Sequence, residues 1–424
     1  MTSIRLSDGI VKDEVLVVGL AVKASKAAKS SSSLQIESGD IALDSKALLQ
    51  TLADLGATGK ADEVIKVPGT STRLLVFTGL GKQSATYDNE VLRRASGAAA
   101  RALSGNSSAT FSLPAKNEDA VRAIAEGAGL GNYLFDQFRG STKSAQKAPL
   151  KTITVHTSLA GKSGAKDAAK IAEVISTYTY LVRDLINTPP SHLTPDSFCT
   201  AITAAVKKAG GASVGLKVTV MTDSQLRSKG YGGIIGVGQG SVNPPRLLNI
   251  SYSPKGAKAK KKYAYVGKGI TFDTGGLALK PALGMEAMKS DMSGAAAVCA
   301  AKALGASAVQ VGTAFLTSHE ATTSALHRHA LMSDAAQNTA LTNLFSGRPA
   351  RGIVNKFMQD HGPLSSDAPD FPLATAAVAP LRAAAEALGS ADYSPLWSGQ
   401  NASDCQALPA ADIAHKLLQG WSCA

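Results

Sequence analysis

The sequence predicts an α/β fold, because short apolar segments of strand length alternate with longer segments of helical periodicity. Residues 15–22, 74–79 and 152–156 are apolar runs with the length of buried strands. Residues 90–104 and 120–127 carry the helical pattern between them. This alternation is typical of helices layered on a sheet. We therefore expect residues 1–165 to form an N-terminal α/β domain of the sandwich type.

The rest of the chain continues the pattern and then changes in composition. A helix is expected to end near residue 186, because Asn-Thr-Pro-Pro follows it. Strands are predicted at 217–221, 247–252 and 263–266, and then a helix at 292–304 leads into a strand at 308–316. The final hundred residues are alanine-rich and mostly of helical pattern, notably 374–388. The expected domains are therefore 1–165, 166–304 and 305–424.

Composition favours a globular chain and excludes several classes of protein. Hydrophobic residues make up 44% and charged residues 18% of the 424 positions, which argues against wholesale disorder. The chain contains no apolar run of 18 residues and no signal-like start, so we expect no membrane span. The four cysteines are widely spaced and form no Cys-x-x-Cys motif, which favours a reducing compartment. We expect a cytoplasmic protein.

The net charge of +12 comes in part from the segment K-G-A-K-A-K-K-K at residues 255–262. Such a segment can bind an anionic partner or a nucleic acid, or it can be the solvated tip of a hairpin. We favour the hairpin tip, because no interleaved aromatic residues or nucleic-acid-binding motif accompany the lysines. We therefore expect no nucleic-acid partner.

The segment from Val266 to Asp291 carries the chemistry, reading V-G-K-G-I-T-F-D-T-G-G-L-A-L-K-P-A-L-G-M-E-A-M-K-S-D. It places Lys268, Asp273, Lys280 and Asp291 around a glycine turn at the predicted end of a strand. Carboxylates are ligands for hard divalent cations. A lysine can bind a metal only as the neutral amine, which is feasible because lysine pKa values shift readily near a cation. Taken alone, a glycine-rich turn with solvated charges is the commoner interpretation.

Longer motifs favour a metal site over a solvated glycine-rich turn. The segment, with its continuation M-K-S-D-M-S-G-A-A-A-V, resembles the metal-binding signature of the leucyl (cytosol) aminopeptidase family. Three upstream segments resemble other parts of that family: R-D-L-I-N-T-P-P-S-H-L-T-P at 183–195, L-L-V-F-T-G-L-G-K at 74–82 and E-G-A-G-L-G-N-Y-L-F-D at 126–136. The resemblance covers residues 15–304. It implies an α/β catalytic domain after the N-terminal domain, with Lys268, Asp273 and Asp291 as metal ligands and Lys280 polarising the scissile carbonyl.

The second signature of that family, N-T-D-A-E-G-R, has no counterpart in this sequence. Beyond Asp291 the chain contains no Asp-x-Glu. In the family, this signature supplies an aspartate and a glutamate to the metals and an arginine that positions a bicarbonate base. A two-metal mechanism needs both ions. We therefore expect at most one firmly bound zinc or manganese ion, a truncated catalytic domain and impaired catalysis.

The C-terminal part resembles a different family. Residues 303–320, 345–355 and 393–400 are similar to the C-terminal part of nitronate monooxygenases, which use FMN. That resemblance implies flavin-phosphate binding by Gly312 and Thr313, at the end of a strand. Its earlier barrel strands and catalytic histidine have no counterpart upstream, so we do not expect FMN to bind. The chain therefore resembles a chimera of two families, joined near residues 299–306.

The predicted function follows from the longer of the two resemblances. It implies a metalloprotein that removes N-terminal amino acids from peptides and assembles as a homo-oligomer, a hexamer. Two alternatives remain open. One is an FMN-dependent nitronate monooxygenase, which the last third of the sequence supports, and the other is a catalytically inactive binding or assembly protein.

Overall fold

A mixed β-sheet forms the centre of the first of two compact units, Met1–Asn187. The computed structural model describes residues 2–9, 15–23, 33–41, 43, 45–256, 265–276, 279–280, 282–303, 313–371, 373–399, 402 and 405–413. The strands of this unit are β1 (Ser3–Ser7), β2 (Val15–Lys23), β3 (Ser33–Glu37), β4 (Val64–Pro68), β5 (Leu74–Lys82), β6 (Ser108–Ser112) and β7 (Thr152–His156). They follow the order β1-β7-β6-β2-β5-β4. Neighbours from β1 to β5 run parallel, whereas β4 is antiparallel to β5 and β3 is antiparallel to the second half of β2.

Helices cover both faces of this sheet. They are α1 (Ser45–Asp54), α2 (Asn89–Ala102), α3 (Glu118–Gly131) and α4 (Ser163–Asn187). Val15 and Val17 of β2 face a core shared with α2 and α3, whereas Leu16 and Val18 face a second core that contains Leu52 of α1. Because both faces of β2 are buried, the strand is apolar at every position from Val15 to Val18.

The sequence-based expectations for this unit are confirmed in type and position. The predicted strands at 15–22, 74–79 and 152–156 are β2, β5 and β7, and the predicted helices at 90–104 and 120–127 are α2 and α3. The helix expected to end near residue 186 is α4, which ends at Asn187. The domain boundary predicted at residue 165 lies inside α4. That boundary stays a prediction.

The second unit, Thr188–Ala424, contains small antiparallel sheets and short helices among its described residues. Its elements are α5 (Pro195–Lys208), β8 (Leu216–Met221), α6 (Asp223–Ser228), α7 (Gly232–Gly238), β9 (Leu247–Tyr252), α8 (Ser293–Ala303), α9 (Thr313–Leu316), α10 (Ala325–Leu331), β10 (Thr339–Thr342), β11 (Ala350–Ile353), α11 (Lys356–His361) and α12 (Leu373–Ala387). Strand β8 pairs with β9, and β10 pairs with β11. A 3₁₀ helix, Met285–Met292, leads directly into α8.

Several predictions for the second unit are confirmed and two are wrong. The predicted elements at 217–221, 247–252, 292–304 and 374–388 correspond to β8, β9, α8 and α12. The strand predicted at 263–266 is wrong at its described residues, because Tyr265 and Val266 are irregular and the Val266 side chain is 66% exposed. An apolar run forms a buried strand only where a neighbouring strand pairs with its backbone. The preceding strand, β9, pairs with β8 and with no other described strand, so it gives Tyr265 and Val266 no partner.

The strand predicted at 308–316 is also wrong where it can be compared. Residues 308–312 lie outside the described residues, and Thr313–Leu316 form the short helix α9. The next residues are held by Arg328, whose guanidinium donates to the carbonyl oxygens of Thr317, Ser318, Ala321 and Thr323. These bonds draw residues 317–323, which follow α9, into a compact loop. The structure of this segment therefore depends on contacts with Arg328 and not on its local pattern of apolar residues.

The C-terminal region forms small cores of its own. Phe345 packs against Phe357 with ring centroids 5.5 Å apart and meets Trp397 edge-on at 6.0 Å. Strand β11 and Leu331 of α10 belong to a neighbouring cluster. The expectation of a mostly helical C-terminal segment agrees with the observed elements. Across the described helices, we find none with the length and hydropathy that a membrane span requires.

Candidate metal centre

Two lysine–aspartate pairs bring the four predicted site residues together in the second unit. Lys268 Nζ lies 2.7 Å from Asp291 Oδ2, and Lys280 Nζ lies 2.7 Å from Asp273 Oδ2. Lys268 is also close enough to Asp273 for its charge to affect that carboxyl group. We call these four side chains the quartet. Their proximity was predicted from the sequence, whereas their pairing was not.

Close backbone contact fixes the position of Lys268. Its carbonyl oxygen accepts a hydrogen bond of 2.8 Å from the N–H of Ala295, in the first turn of α8. A Cβ atom at Gly267 would lie 2.5 Å from the Cα of Ala295 and 2.7 Å from the carbonyl oxygen of Gly294. Only glycine fits at this approach. The start of α8 therefore carries Asp291, just before it, to the Lys268 side chain.

A glycine turn positions the other pair. Asp273 Oδ1 accepts a hydrogen bond of 2.9 Å from the N–H of Gly275, which has a positive φ of 94°. The N–H of Lys280 donates to the carbonyl oxygen of Thr274 at 2.8 Å, so the chain returns on itself between these residues. The Lys280 ammonium also donates to the sulfur of Met288 at 3.2 Å, a contact for which the sequence offered no signal.

The charges of the quartet act on Asp273. The hydrogen bond from the Lys280 ammonium holds the pKa of Asp273 below its usual value, while burial acts in the opposite direction. The Gly275 N–H and the charge of Lys268 add to the lowering. Asp273 is consequently a carboxylate at neutral pH. It is one of two anionic groups that two ammonium groups balance.

The donor set can be tested against a divalent ion on one specific atom. Asp291 Oδ2 is buried and accepts no hydrogen bond from the described residues, because Lys268 approaches it without hydrogen-bond geometry. A buried carboxylate oxygen without a hydrogen bond is costly unless another partner binds it. Within the described ranges, no three His, Cys, Asp or Glu side chains cluster as a metal site. The donor chemistry of the quartet, two carboxylates and two lysine amines, is compatible with a divalent ion.

The flavin-phosphate residues expected from the C-terminal resemblance cannot be placed together. Gly312 lies outside the described residues, and the backbone of Thr313 begins the helix α9. The V-G-T-A-F segment is therefore not a strand end over its described residues 313–315. Residues 257–262 of the lysine-rich segment likewise lie outside the described residues, after a turn at Lys255 and Gly256.

The start of the R-D-L-I-N motif lies at the end of α4, in the first unit. The hydroxyl of Tyr133 donates to Asp184 at 2.9 Å and accepts a bond from the Asn187 amide at 3.2 Å. Arg183 donates to the carbonyl oxygen of Leu130 at 2.7 Å and lies over the Tyr133 ring. Burial raises the pKa of Asp184, and the Tyr133 hydrogen bond opposes this shift. These contacts join the end of α4 to the last turn of α3 and to Tyr133 just after it.

Two protein families match parts of this chain. Residues 15–142 match the N-terminal domain of the cytosol aminopeptidase family, and residues 180–331 match its catalytic domain. Over these residues the chain belongs to the cytosol aminopeptidase family. Residues 292–420 match the nitronate monooxygenase family, and the two matches overlap at 292–331. Both resemblances predicted from the sequence are confirmed.

Curated members of the cytosol aminopeptidase family resemble the chain over part of their length. A probable cytosol aminopeptidase of Streptomyces avermitilis is 42% identical over 322 residues, covering 71% of this chain and 60% of the relative. One of Rhodococcus jostii is 42% identical over 306 residues, covering 69% of this chain and 56% of the relative. The chain thus spans about 60% of the length of the relatives it matches.

Solved structures agree with the fold of this cytosol aminopeptidase family member. The bottromycin maturation enzyme BotP in complex with Mn is 28% identical with a TM-score of 0.54, covering 69% of this chain and 55% of BotP. A mutant of tomato leucine aminopeptidase is 22% identical with a TM-score of 0.55, covering 72% of this chain and 59% of that chain. The tomato structure supports the fold alone.

Proposed function

We propose that this chain is a metal-dependent aminopeptidase-like protein that removes N-terminal amino acids from peptides. One divalent ion would be held by Lys268, Asp273 and Asp291. The observation that supports this most strongly is the meeting of two carboxylates and two lysines in the quartet. The family relationship and the Mn bound by BotP support manganese as a candidate, with zinc as the alternative.

The quartet residues have separable roles in this proposal. A divalent ion would polarise the scissile carbonyl and lower the pKa of a water molecule. Asp273 and Asp291 would supply carboxylate oxygens, and Lys268 would release its proton to bind as the amine. Lys280 would leave Asp273 and donate a hydrogen bond to the oxyanion that develops on the substrate carbonyl. Lys280 is therefore the catalytic residue of the proposal.

The same geometry supports weak rather than full activity. One ion would already use both carboxylates of the quartet and the Lys268 amine, which leaves no carboxylate of the quartet for a second ion alone. No Asp-x-Glu follows Asp291 in the sequence to supply further ligands. In a two-ion mechanism, the ions together stabilise the attacking and the leaving group. With one ion, part of this stabilisation would be lost and the reaction would be slower.

Hydrolysis of leucine p-nitroanilide by the full chain tests the proposal. The protein is stripped with a chelator, dialysed, and assayed after addition of Mn²⁺ or Zn²⁺. We expect slow release of p-nitroaniline that depends on added metal and is abolished by the chelator. A protein that binds metal and releases no product, even at high enzyme concentration, is instead the inactive binding protein that the sequence left as an alternative.

A second candidate function rests on the match of residues 292–420 to nitronate monooxygenases. Under that alternative the purified protein would show visible flavin absorption or would bind added FMN. We propose that it does neither. A fluorescence titration of FMN with the full chain measures this, and saturable quenching of the flavin would favour the oxidoreductase.

The assembly and location of the protein complete the proposal. We propose a homo-oligomer, a hexamer, as the family resemblance implies, and a cytoplasmic location, in line with the name of the family. Light scattering coupled to size-exclusion chromatography measures the mass of the assembly. A monomeric mass would exclude the hexamer and leave the metal-site proposal unaffected.

A further inference from the structure

A groove of about 380 Å³ lies on the first unit, separate from the quartet. Its charged lining is dominated by arginine, contributed by helices α2 and α4. The planar guanidinium group of arginine can donate two parallel hydrogen bonds to a phosphate or carboxylate group, which the ammonium group of lysine cannot do. The groove is lined by Asp62, Arg93, Arg94, Gly97, Arg101, Gly127, Leu130, Gly131 and Arg183.

The floor of this groove, which we call the arginine groove, is made by direct contact between α2 and α3. A Cβ atom at Gly131 would lie 2.3 Å from the carbonyl oxygen of Gly97, and one at Gly127 would lie 2.0 Å from that of Arg93. Larger residues would force the helices apart. The glycines therefore leave a shallow space beside the crossing and let arginines from two helices border it.

The arginines differ in how their charge is balanced. Arg93 is paired with Glu90 and with Glu126, whose side chain is only 7% exposed. Arg94 is paired with Asp62. These two guanidiniums therefore hold the walls of the groove and are largely neutralised.

Arg101 and Arg183 are not neutralised in this way. Neither forms an ion pair with a residue that the structure describes. Arg183 donates to a backbone carbonyl and lies 5.3 Å over the Tyr133 ring, which leaves its full positive charge at the groove. Two such charges facing one small space favour an anion with several oxygens.

We infer that the arginine groove binds a small, multiply charged phosphate compound, with Arg101 and Arg183 as its principal contacts. The volume is that of a small-molecule site, because such sites occupy about 300–1,000 Å³. The phosphate can belong to inorganic pyrophosphate or to the polyphosphate of a nucleotide. A long nucleic acid is the less favoured ligand, since it requires a basic surface that continues beyond one groove. This inference is independent of the aminopeptidase proposal.

Calorimetric titration of the full chain tests the inference, with pyrophosphate and ATP as separate ligands. We expect saturable binding of pyrophosphate that weakens with added salt. The Arg101→Gln variant should bind at least about tenfold more weakly, because it loses charge-assisted hydrogen bonds to the phosphate oxygens. Arg101 makes no side-chain hydrogen bond with a described residue, so its replacement should preserve the fold. Arg139→Gln, an exposed arginine of the same unit outside the groove, is the matched control.

The outcomes separate the ligands clearly. Tighter binding of ATP than of pyrophosphate, lost in Arg101→Gln, identifies a nucleotide site, and equal binding identifies a polyphosphate site. The inference is overturned if the wild-type chain binds neither ligand at millimolar concentration, or if Arg139→Gln and Arg101→Gln lose affinity equally. It is also overturned if a DNA duplex binds more tightly than either compound and with affinity that grows with duplex length.

Discussion

Lys268 and Asp291 are separated by 23 residues in sequence, yet Lys268 Nζ lies 2.7 Å from Asp291 Oδ2. That oxygen is buried and accepts no hydrogen bond from the described residues. The contact exists because the N–H of Ala295 in α8 binds the carbonyl oxygen of Lys268. The Lys268 ammonium group thus balances the charge of the Asp291 carboxylate, whose Oδ2 could still bind a metal ion. A divalent ion at the quartet would take this oxygen and displace the lysine proton.

Replacing Asp291 by alanine should remove the metal. The wild-type chain is expected to hold one Mn²⁺ or Zn²⁺ after dialysis, and Asp291→Ala should hold none. Changes that merely disturb the surroundings of a ligand cost about 10–100-fold in metal affinity, so the loss of a ligand should cost at least as much. Elemental analysis of the dialysed protein measures the stoichiometry. Asp360→Ala, which removes an exposed carboxylate paired with Lys356, should leave it unchanged.

Two results would contradict this prediction. Two tightly bound ions in the wild-type chain would refute the single-site proposal, and an Asp291→Ala variant that keeps its ion would refute the ligand assignment.

Replacing Lys280 by methionine should separate catalysis from metal binding. Lys280 is proposed to stabilise the substrate oxyanion, so Lys280→Met should lower kcat for leucine p-nitroanilide by about 10²–10³-fold. Metal content should stay at the wild-type level, because Lys280 is not a proposed ligand and loss of its positive charge beside Asp273 does not weaken the attraction for a cation. Lys356→Met, an exposed lysine elsewhere in the second unit, is the matched control. An unchanged kcat, or a loss of activity fully explained by lost metal, would exclude Lys280 as the catalytic residue.

Replacing Gly131 by alanine should destabilise the first unit. The added Cβ would lie 2.3 Å from the carbonyl oxygen of Gly97, so α2 and α3 would have to separate. Overpacking of this kind typically costs about 1–3 kcal/mol in the free energy of unfolding. Urea unfolding followed by far-ultraviolet circular dichroism measures the change. Gly161→Ala, where a Cβ would meet nothing within 4 Å, should unfold at nearly the wild-type urea concentration.

The Arg382–Glu386 pair of α12 should contribute stability that depends on pH. Hydrogen bonds from Arg382 and Ser394 lower the pKa of Glu386, and burial opposes this shift. A lowered carboxyl pKa stabilises the fold above the unfolded value of about 4.3, and this contribution is lost as the pH falls through the folded value. Because the side chains are 42% and 30% exposed, Glu386→Gln should cost no more than about 1 kcal/mol at pH 7.

Thermal unfolding at a series of pH values measures this contribution. The difference between the wild type and Glu386→Gln should shrink as the pH falls below about 4.3 and through the folded pKa of Glu386. Glu286→Gln, an exposed carboxyl group without an ion pair among the described residues, should show little difference at any pH. A Glu386→Gln difference that persists in acid would show that the pair acts through packing rather than through its charge.

The fold of the first unit was predictable because its local signals agree with one another. The apolar run of β2 is buried on both faces, and N-caps such as Asn117 mark helix starts where the pattern begins. The second unit was less predictable. Tyr265 and Val266 have the apolar pattern of a strand but are irregular, and residues 313–316 form a helix where a strand was expected. Local alternation does not reveal whether a strand has a partner to pair with.

For the candidate site, the sequence by itself determined the family, the four residues of the quartet and the absence of a following Asp-x-Glu. These are properties of residue identity and spacing. Tertiary structure alone decided that Lys268 pairs with Asp291 and Lys280 with Asp273, and that Asp291 Oδ2 is buried without a hydrogen bond from a described residue. It also decided that the arginines of α2 and α4 border one groove. Such relationships depend on backbones that meet far apart in sequence, as at Gly267 and Gly131, and spacing along the chain does not encode them.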